Sequence, residues 1–311
     1  MASSVLKYLP VNIANIIANL KEWQKREVIE IRMRVNQPLQ LISYEGEIFP
    51  LDEKNNPCII TPLDLERAFM ILVKNSYYAI ERQLAEGFLT IPGGHRVGFT
   101  GQAVLEGGEI RTIKNINSLN YRISRQLPGI AGGLIKKIFD SEEGNIYNSL
   151  IIGPPLSGKT TLLRDMVRLI SDGDERYGLK GKKVALVDER SEIAGAYNGI
   201  PQNKIGKRTD LLDNCPKARG MLLLIRAMSP EVLAVDEIGH REDVLALEEV
   251  INAGVKILCT IHGRDYYSVL QRPSLQGLLA GKAFERYIIL SNRAGIGTVE
   301  MVLDASGKEV K

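Results

Sequence analysis

A glycine-rich loop at residues 153–160 constrains the fold of this chain more than any other segment. It reads Gly-Pro-Pro-Leu-Ser-Gly-Lys-Thr and matches G-x-x-x-x-G-K-[ST] at every defined position. An apolar run, residues 150–152, precedes it, and apolar residues at helical spacing follow it to Ile170. This order predicts a buried strand, a tight turn and a helix, with backbone N–H groups turned toward an anion. A glycine-rich turn that binds nothing is the alternative, and the Lys-Thr pair favours phosphate binding.

Each part of the loop has an expected role in holding a nucleotide. Lys159 would reach the β- and γ-phosphates, and the Thr160 hydroxyl would coordinate Mg²⁺. The predicted nucleotide-binding residues are Gly153, Pro154, Pro155, Leu156, Ser157, Gly158, Lys159, Thr160 and Thr161. ATP is favoured over GTP by elimination, because residues 203–206, Asn-Lys-Ile-Gly, lack the aspartate with which GTPases read guanine.

Three more apolar runs, residues 184–187, 232–235 and 255–261, end in polar side chains. Continuous apolar runs are typical of parallel strands that are covered on both faces. Ligands bind outside the carboxyl ends of the strands in open α/β sheets, so we expect the polar ends to converge on the glycine-rich loop. The polar residues at the ends of the three runs are Asp188-Glu189-Arg190, Asp236-Glu237 and His262-Gly263.

These strand ends supply the candidate catalytic and metal-binding residues. Asp236 would lie near Mg²⁺, and Glu237 would orient or deprotonate an attacking water. His262 would sense the γ-phosphate or position that water. The alternatives are a strand that enters a solvated turn for Asp236-Glu237, and a hydrogen-bonded structural histidine for His262.

The first 128 residues have a different pattern from the rest. Helical spacing over residues 12–23, which ends at Trp23, is followed by predicted strands at 30–35 and 39–44. Thr61-Pro62 predicts a helix start. Helices followed by hairpins favour a smaller α+β domain over residues 1–128, ahead of an α/β P-loop domain over residues 129–311. That second domain is expected to close with a hairpin made by residues 287–291 and 298–302.

Composition excludes several classes of protein. A net charge of +3 on 311 residues gives no electrostatic case for a nucleic-acid partner. Three scattered cysteines predict reduced thiols rather than a disulfide framework. No apolar run approaches the roughly 20 residues that span a bilayer, and no signal-peptide core is visible. We therefore expect a cytoplasmic protein that contacts a membrane only through partners.

A basic stretch between the second and third apolar runs could be interpreted in three ways. Its cations are Lys204, Lys207, Arg208, Lys217 and Arg219, and Asp210 and Asp213 interleave with them. The interleaved acids favour a solvated surface loop over a nucleic-acid site. A third interpretation is that Arg208 or Arg226 contacts nucleotide across a subunit boundary.

On these motifs the chain resembles the secretion ATPase superfamily, the motors of type II and type IV secretion and of pili. The shared segments are the loop at 153–160, the acidic box 187–192, the strand that ends at Glu237 and the histidine box 260–263. Residues 207–213 and 225–232 are similar to its sporulation branch in particular.

The resemblance implies a RecA-like motor domain behind an N-terminal domain that closes over nucleotide, usually in a hexameric ring. It also implies an ATPase that acts with the proteins of a membrane secretion channel. In relatives, arginines of the N-terminal domain approach the phosphates, and Arg96 and Arg122 lie in the matching segments.

The chain departs from secretion motors at two positions. Asp188-Glu189-Arg190 replaces the usual Glu-Asp-Pro, and Asp236 replaces a usual glycine. The catalytic base could therefore be Glu189 or Glu237. Two other functions stay open: a nucleotide-dependent switch or scaffold with little hydrolysis, and a RecA-type nucleic-acid motor.

Overall fold

The computed structural model describes residues 3–21, 28–43, 45–52, 54–73, 84–85 and 87–310. They divide into two compact units, Met1–Arg125 and Gln126–Lys311. The division lies next to the Leu127-Pro128-Gly129 turn, where the character of the sequence changes.

The first unit is built on an antiparallel sheet. Its elements are α1 (Ser3–Leu6), α2 (Val11–Ala18), β1 (Val28–Arg34), β2 (Gln40–Ser43), β3 (Gly46–Ile48), α3 (Pro62–Val73), β4 (Phe88–Ile91), β5 (His95–Glu106) and β6 (Glu109–Arg122). The strand order is β3-β2-β1-β6-β5-β4, and every neighbouring pair is antiparallel. Alternate residues of β1, such as Ile31 and Met33, enter the core, as the polar–apolar alternation predicts.

The expected helix start at Thr61 is confirmed. The Thr61 hydroxyl accepts from the Asp64 N–H at 3.1 Å, and the Asp64 carboxylate accepts from the Thr61 N–H at 3.0 Å. The first predicted helix is shorter than its spacing indicates, because α2 ends at Ala18. The Asn19 N–H closes that helix on the carbonyls of Asn15 and Ile17. Trp23 and Tyr44, which belong to the predicted helix and strand, lie outside the described residues.

The second unit alternates strands and helices. Its elements are α4 (Ile135–Ile138), β7 (Phe139–Asp140), β8 (Asn145–Ile146), β9 (Ser149–Gly153), α5 (Lys159–Asp172), β10 (Val184–Asp188), β11 (Thr209–Asp213), α6 (Lys217–Met228), β12 (Val232–Val235), α7 (Arg241–Asn252), β13 (Lys256–His262), α8 (Tyr266–Leu270), α9 (Gln276–Ala280), β14 (Arg286–Ser291) and β15 (Thr298–Asp304).

The main sheet of this unit has the order β11-β10-β12-β13-β9-β14-β15. All neighbours are parallel except β14 and β15, which form the expected terminal hairpin. The four predicted apolar strands are confirmed as β9, β10, β12 and β13. Because they are parallel, their carboxyl ends share one edge of the sheet. Strand β9 lies between β13 and β14, so the glycine-rich loop has a neighbouring strand end on each side.

Helices cover both faces of this sheet, which explains the continuous apolar runs. Along β9, Ile151 packs with α5 and α4 on one face, whereas Leu150 and Ile152 pack with α6 and α7 on the other. Every residue of β9 and β10 is buried. Within the described part of the chain, no helix has the length and apolar character that crossing a membrane requires.

Candidate functional site

The glycine-rich loop joins β9 to α5 through an unusual backbone conformation. Gly158 precedes the first helical residue with φ +88°, and Leu156 has φ +63° with 83% of its surface exposed. Positive φ is accessible to glycine and strained for most other residues. The loop therefore holds the chain in a turn at the N-terminus of α5, where backbone N–H groups have no helical partner.

The Lys159 ammonium lies inside this loop. Its Nζ donates to the carbonyl oxygens of Gly153 and Pro154, each at 2.9 Å, and lies 3.0 Å from Nδ1 of His262. Burial lowers the pKa of Lys159, although the charges of Asp236 and Glu237 oppose that shift. The lysine is thus held at the loop by groups that phosphate oxygens could replace.

A chain of contacts runs from Lys159 to the end of β12. An ammonium can only donate, so Nδ1 of His262 accepts and its Nε2 carries the hydrogen. That Nε2 lies 3.2 Å from Oε1 of Glu237, and Nη1 of Arg190 lies 3.6 Å from Oε2. The contacts therefore form one continuous chain of four side chains, in the order Lys159, His262, Glu237, Arg190.

Asp236 is hydrogen-bonded by two threonine hydroxyls. Thr160 Oγ1 donates to Oδ2 at 2.8 Å, and the Thr260 hydroxyl donates to Oδ1. Thr260 also accepts the backbone N–H of Glu237 at 2.9 Å, where the backbone has φ +45°. Thr260 is a site residue that no local sequence signal marks, because its contacts with Asp236 and Glu237 depend on the pairing of β12 with β13.

Asp188 organises the turn after β10. It is buried and accepts the backbone N–H groups of Glu192, Ile193 and Ala194 at 2.8–3.0 Å. Burial raises the pKa of Asp188 to about 7, although these three donors favour the carboxylate.

Glu189 has a cationic partner of its own. Its Oε2 lies 2.8 Å from Nζ of Lys217, whose side chain is only 11% exposed. The prediction of a solvated basic loop is wrong for Lys217, because the first turn of α6 brings it against the end of β10. Lys217, Glu189, Arg190, Asp236 and Glu237 line a single cleft.

The loop and its neighbours fit a phosphate chain with a hard cation. Ser157 is fully buried, and its hydroxyl oxygen has no hydrogen-bond partner among the described residues. No group of three or more acidic, histidine or cysteine side chains that could hold a metal occurs among those residues. Mg²⁺ is commonly held by one or two protein oxygens together with phosphates and water, so the Thr160 and Asp236 oxygens suit it.

Three other candidate arginines have contacts within their own units. Arg96 and Arg122 are cross-strand neighbours on β5 and β6 of the first unit. The Arg96 guanidinium lies 3.4 Å from the centroid of the Phe88 ring, and Arg122 Nε lies 3.9 Å from Oε1 of Glu30. Arg208 donates to the Ser171 carbonyl at 2.9 Å, which ties β11 to the end of α5. The phosphate-contacting roles of Arg96 and Arg122 stay predictions.

Comparisons with known proteins agree on one family and one fold. Residues 2–310 match the family model described as Sporulation stage III, protein AA. The chain is 42% identical over 305 residues to Stage III sporulation protein AA of Bacillus subtilis (strain 168), covering 98% of this chain and 96% of that relative.

Two solved structures share the fold. The ATPase DotB of Legionella pneumophila has a TM-score of 0.58 at 16% identity, over 90% of this chain and 76% of DotB. The pilus retraction motor PilT with bound ADP has a TM-score of 0.55 at 13% identity, over 84% and 74%. At such identities the likeness shows the fold alone, which is the RecA-like fold of secretion ATPases.

Proposed function

The chain belongs to the Sporulation stage III, protein AA family, and from that premise we propose that it is a Mg²⁺-dependent ATPase and a motor of the secretion type. In this proposal ATP hydrolysis energises the assembly of a membrane secretion channel during sporulation, or transport through it. The names of the structural relatives, an ATPase and a pilus retraction motor, support this assignment. The observation that carries it is the contact chain from Lys159 through His262 to Glu237.

ATP binding would exchange the partners of Lys159. The β- and γ-phosphate oxygens would replace the Gly153 and Pro154 carbonyls, which now accept from its Nζ at 2.9 Å. As Lys159 turns to the phosphates, Nδ1 of His262 loses its donor. His262 can then report the presence of the γ-phosphate to Glu237, to which its Nε2 is already close.

Of the two candidate carboxylates, we propose Glu237 as the base. Glu189 forms a 2.8 Å ion pair with a largely buried lysine, and removing its charge from that pair would be costly. Glu237 has weaker contacts at 3.2 and 3.6 Å and lies one residue from Asp236. Glu237 would accept a proton from water as the water oxygen attacks the γ-phosphorus, and the bond from that phosphorus to the bridging oxygen of ADP breaks.

Thr160 and Asp236 would hold the magnesium ion. When bound, Mg²⁺ would neutralise charge on the phosphate oxygens. The Thr160 hydroxyl, whose hydrogen is donated to Asp236, would offer an oxygen lone pair to the ion, and Thr260 would keep Asp236 oriented.

The resemblance to secretion ATPases supports a proposal for the larger assembly. We propose a cytoplasmic homo-oligomer, a hexamer as in the secretion ATPase superfamily, with membrane channel proteins as partners. Arg96 and Arg122 of the first unit would approach the phosphates when that unit closes over ATP, and the closure would convert the phosphate state into domain motion.

Phosphate release from ATP tests the assigned site. We expect Mg²⁺-dependent turnover by the wild-type chain and none by Lys159→Ala, whereas Lys180→Ala, which removes an exposed lysine of the same unit, keeps it. Turnover by a pure Lys159→Ala preparation would refute the site. Single-turnover kinetics with tight binding and no phosphate release would identify a switch or scaffold instead. A salt-sensitive stimulation by DNA would identify a nucleic-acid motor.

A further inference from the structure

The cleft beside Glu237 contains a cation that has no role so far in the proposed reaction. Two of the described side chains that line this cleft are cationic, Arg190 and Lys217. Lys217 is only 11% exposed and forms an ion pair with Glu189 at 2.8 Å, so its charge is already matched. The Arg190 side chain is 63% exposed, and its Nη1 lies 3.6 Å from Oε2 of Glu237. Arg190 is therefore the more loosely held of the two cations, and it lies beside the proposed base.

The backbone that carries Arg190 is fixed, although its side chain is not. The Asp188 carboxylate accepts three backbone N–H groups from residues 192–194. Ser191 immediately follows Arg190, and its hydroxyl donates to Oδ1 of Asp213 at 2.7 Å, which ties the same turn to the end of β11. The Arg190 guanidinium can therefore exchange one partner for another while the turn stays in place.

The position of Arg190 beside the base brings its charge close to the reacting phosphoryl group. In the proposed reaction Glu237 takes a proton from the water that attacks the γ-phosphorus, so base, water and γ-phosphoryl lie within hydrogen-bonding reach of one another. In the transition state, negative charge spreads over the three outer oxygens of that group, and an arginine that contacts them lowers its free energy. A guanidinium suits this task, because its planar donors match the oxygens of a phosphoryl group in pairs.

We propose that Arg190 is a catalytic residue of the ATPase reaction, an arginine of the same chain that contacts the transferring γ-phosphoryl. Its guanidinium leaves Glu237 and donates to the phosphoryl oxygens as the water attacks. Glu237 takes the proton of the water, the bond from the γ-phosphorus to the bridging oxygen of ADP breaks, and Arg190 transfers no proton. The exchange also frees Oε2 of Glu237 for the water. This inference rests on the proposed function, since it requires hydrolysis at this site.

Two measurements on the full-length chain test this role. One is phosphate release from ATP, and the other is affinity for ADP with aluminium fluoride and Mg²⁺, which mimics the transferring phosphoryl. Arg190→Ala should lower turnover about 10³-fold, the lower end of what such an arginine contributes. It should bind the mimic at least about 100-fold more weakly, whereas ATP affinity should change no more than about threefold. The retained ATP affinity also shows that the variant is folded.

Arg176→Ala is the matched control. Arg176 is likewise an exposed arginine of the second unit, 72% exposed and ion-paired with Asp174 at 2.6 Å. It lies beyond the C-terminal end of α5, at the opposite end of that helix from the glycine-rich loop. Its removal should change neither turnover nor either affinity.

The Glu237→Gln background separates contact with the phosphoryl from orientation of the base. In that background Arg190→Ala should still weaken binding of the mimic about 100-fold, because the partner of Arg190 in the transition state is the phosphoryl. If the weakening disappears when residue 237 is glutamine, Arg190 acts only through Glu237 and the assignment is overturned.

The remaining outcomes separate this inference from the proposed function. Normal turnover in Arg190→Ala beside an active wild type would overturn the catalytic role of Arg190 and leave the proposed function intact. Equal weakening of ATP and of the mimic would overturn that role as well, because it would show uniform binding of the phosphates. A wild type that releases no phosphate from ATP would overturn the proposed function, and this inference with it.

Discussion

Replacing Gly158 by alanine probes how closely the glycine-rich loop and the β14–β15 turn are packed. Gly158 has φ +88°, and the new methyl carbon would lie 2.6 Å from Cγ2 of Ile296 and 2.7 Å from the Gly297 nitrogen. A separation under 3.0 Å cannot persist, so either the loop or the turn must move. We expect both a loss of stability and a loss of phosphate binding.

The expected decrease in the free energy of unfolding of Gly158→Ala has two parts. A left-handed backbone costs an L-residue about 1–2 kcal/mol relative to glycine. Overpacking at a close contact adds about 1–3 kcal/mol, so Gly158→Ala should lose about 2–5 kcal/mol. Gly254→Ala isolates the backbone part, because Gly254 has φ +77° and its added carbon meets nothing within 4 Å. That control should lose only about 1–2 kcal/mol.

Hydrogen–deuterium exchange of β10 and β12 in the full-length chain reports the free energy of unfolding of the second unit. ATP affinity is measured on the same samples. Gly158→Ala should lower the free energy of unfolding more than Gly254→Ala does. Of the two variants, only Gly158→Ala should lose ATP binding. If the two variants were equally stable, or if Gly158→Ala bound ATP normally, the close packing of loop and turn would be disproved.

Three more outcomes follow from individual side chains. Asp165→Ala removes the acceptor of two backbone N–H groups and of Arg168, and should cost about 3–5 kcal/mol in urea denaturation; a cost below about 1 kcal/mol would contradict the anchoring role. His95 is buried, and burial lowers its pKa from 6.5 to about 4. Between pH 6.5 and pH 4 this histidine therefore binds a proton in the unfolded chain but stays neutral in the folded chain. The first unit should lose about 3 kcal/mol as the pH falls from 6.5 to 4, and His95→Gln should flatten that slope. Glu237→Gln should lower ATP turnover about 10²–10⁴-fold while ATP affinity changes little, and a variant with normal turnover would direct attention to Glu189.

Local signals predicted much of the second unit. The runs at 150–152, 184–187, 232–235 and 255–261 became parallel strands because each is apolar on both faces, and such runs need cover on both sides. The predicted end of α2 was less accurate. The apolar spacing continues beyond Ala18, but the helix ends there. Apolar periodicity indicates which face is buried, and the end of a helix depends on local backbone hydrogen bonds.

The sequence also indicated which strand ends would meet, since parallel strands place their carboxyl ends at one edge. It did not indicate which side chains would pair there. Thr260 with Asp236, Lys217 with Glu189 and Arg190 with Glu237 are contacts between different strand ends, and no local pattern encodes them.

Residues 150–170 are enough to predict a strand, a glycine-rich turn and a helix, because that conformation depends on neighbouring residues alone. What surrounds the loop depends on contacts between distant segments. Strand order placed β13 and β12 on one side and β14 on the other, and that order arises from burying all the apolar strands in one sheet. The direction of the site, with its acidic residues on one side and Ile296 on the other, is therefore a property of packing between distant segments, since Asp236 lies 76 residues after Thr160 and Ile296 lies 136 residues after it.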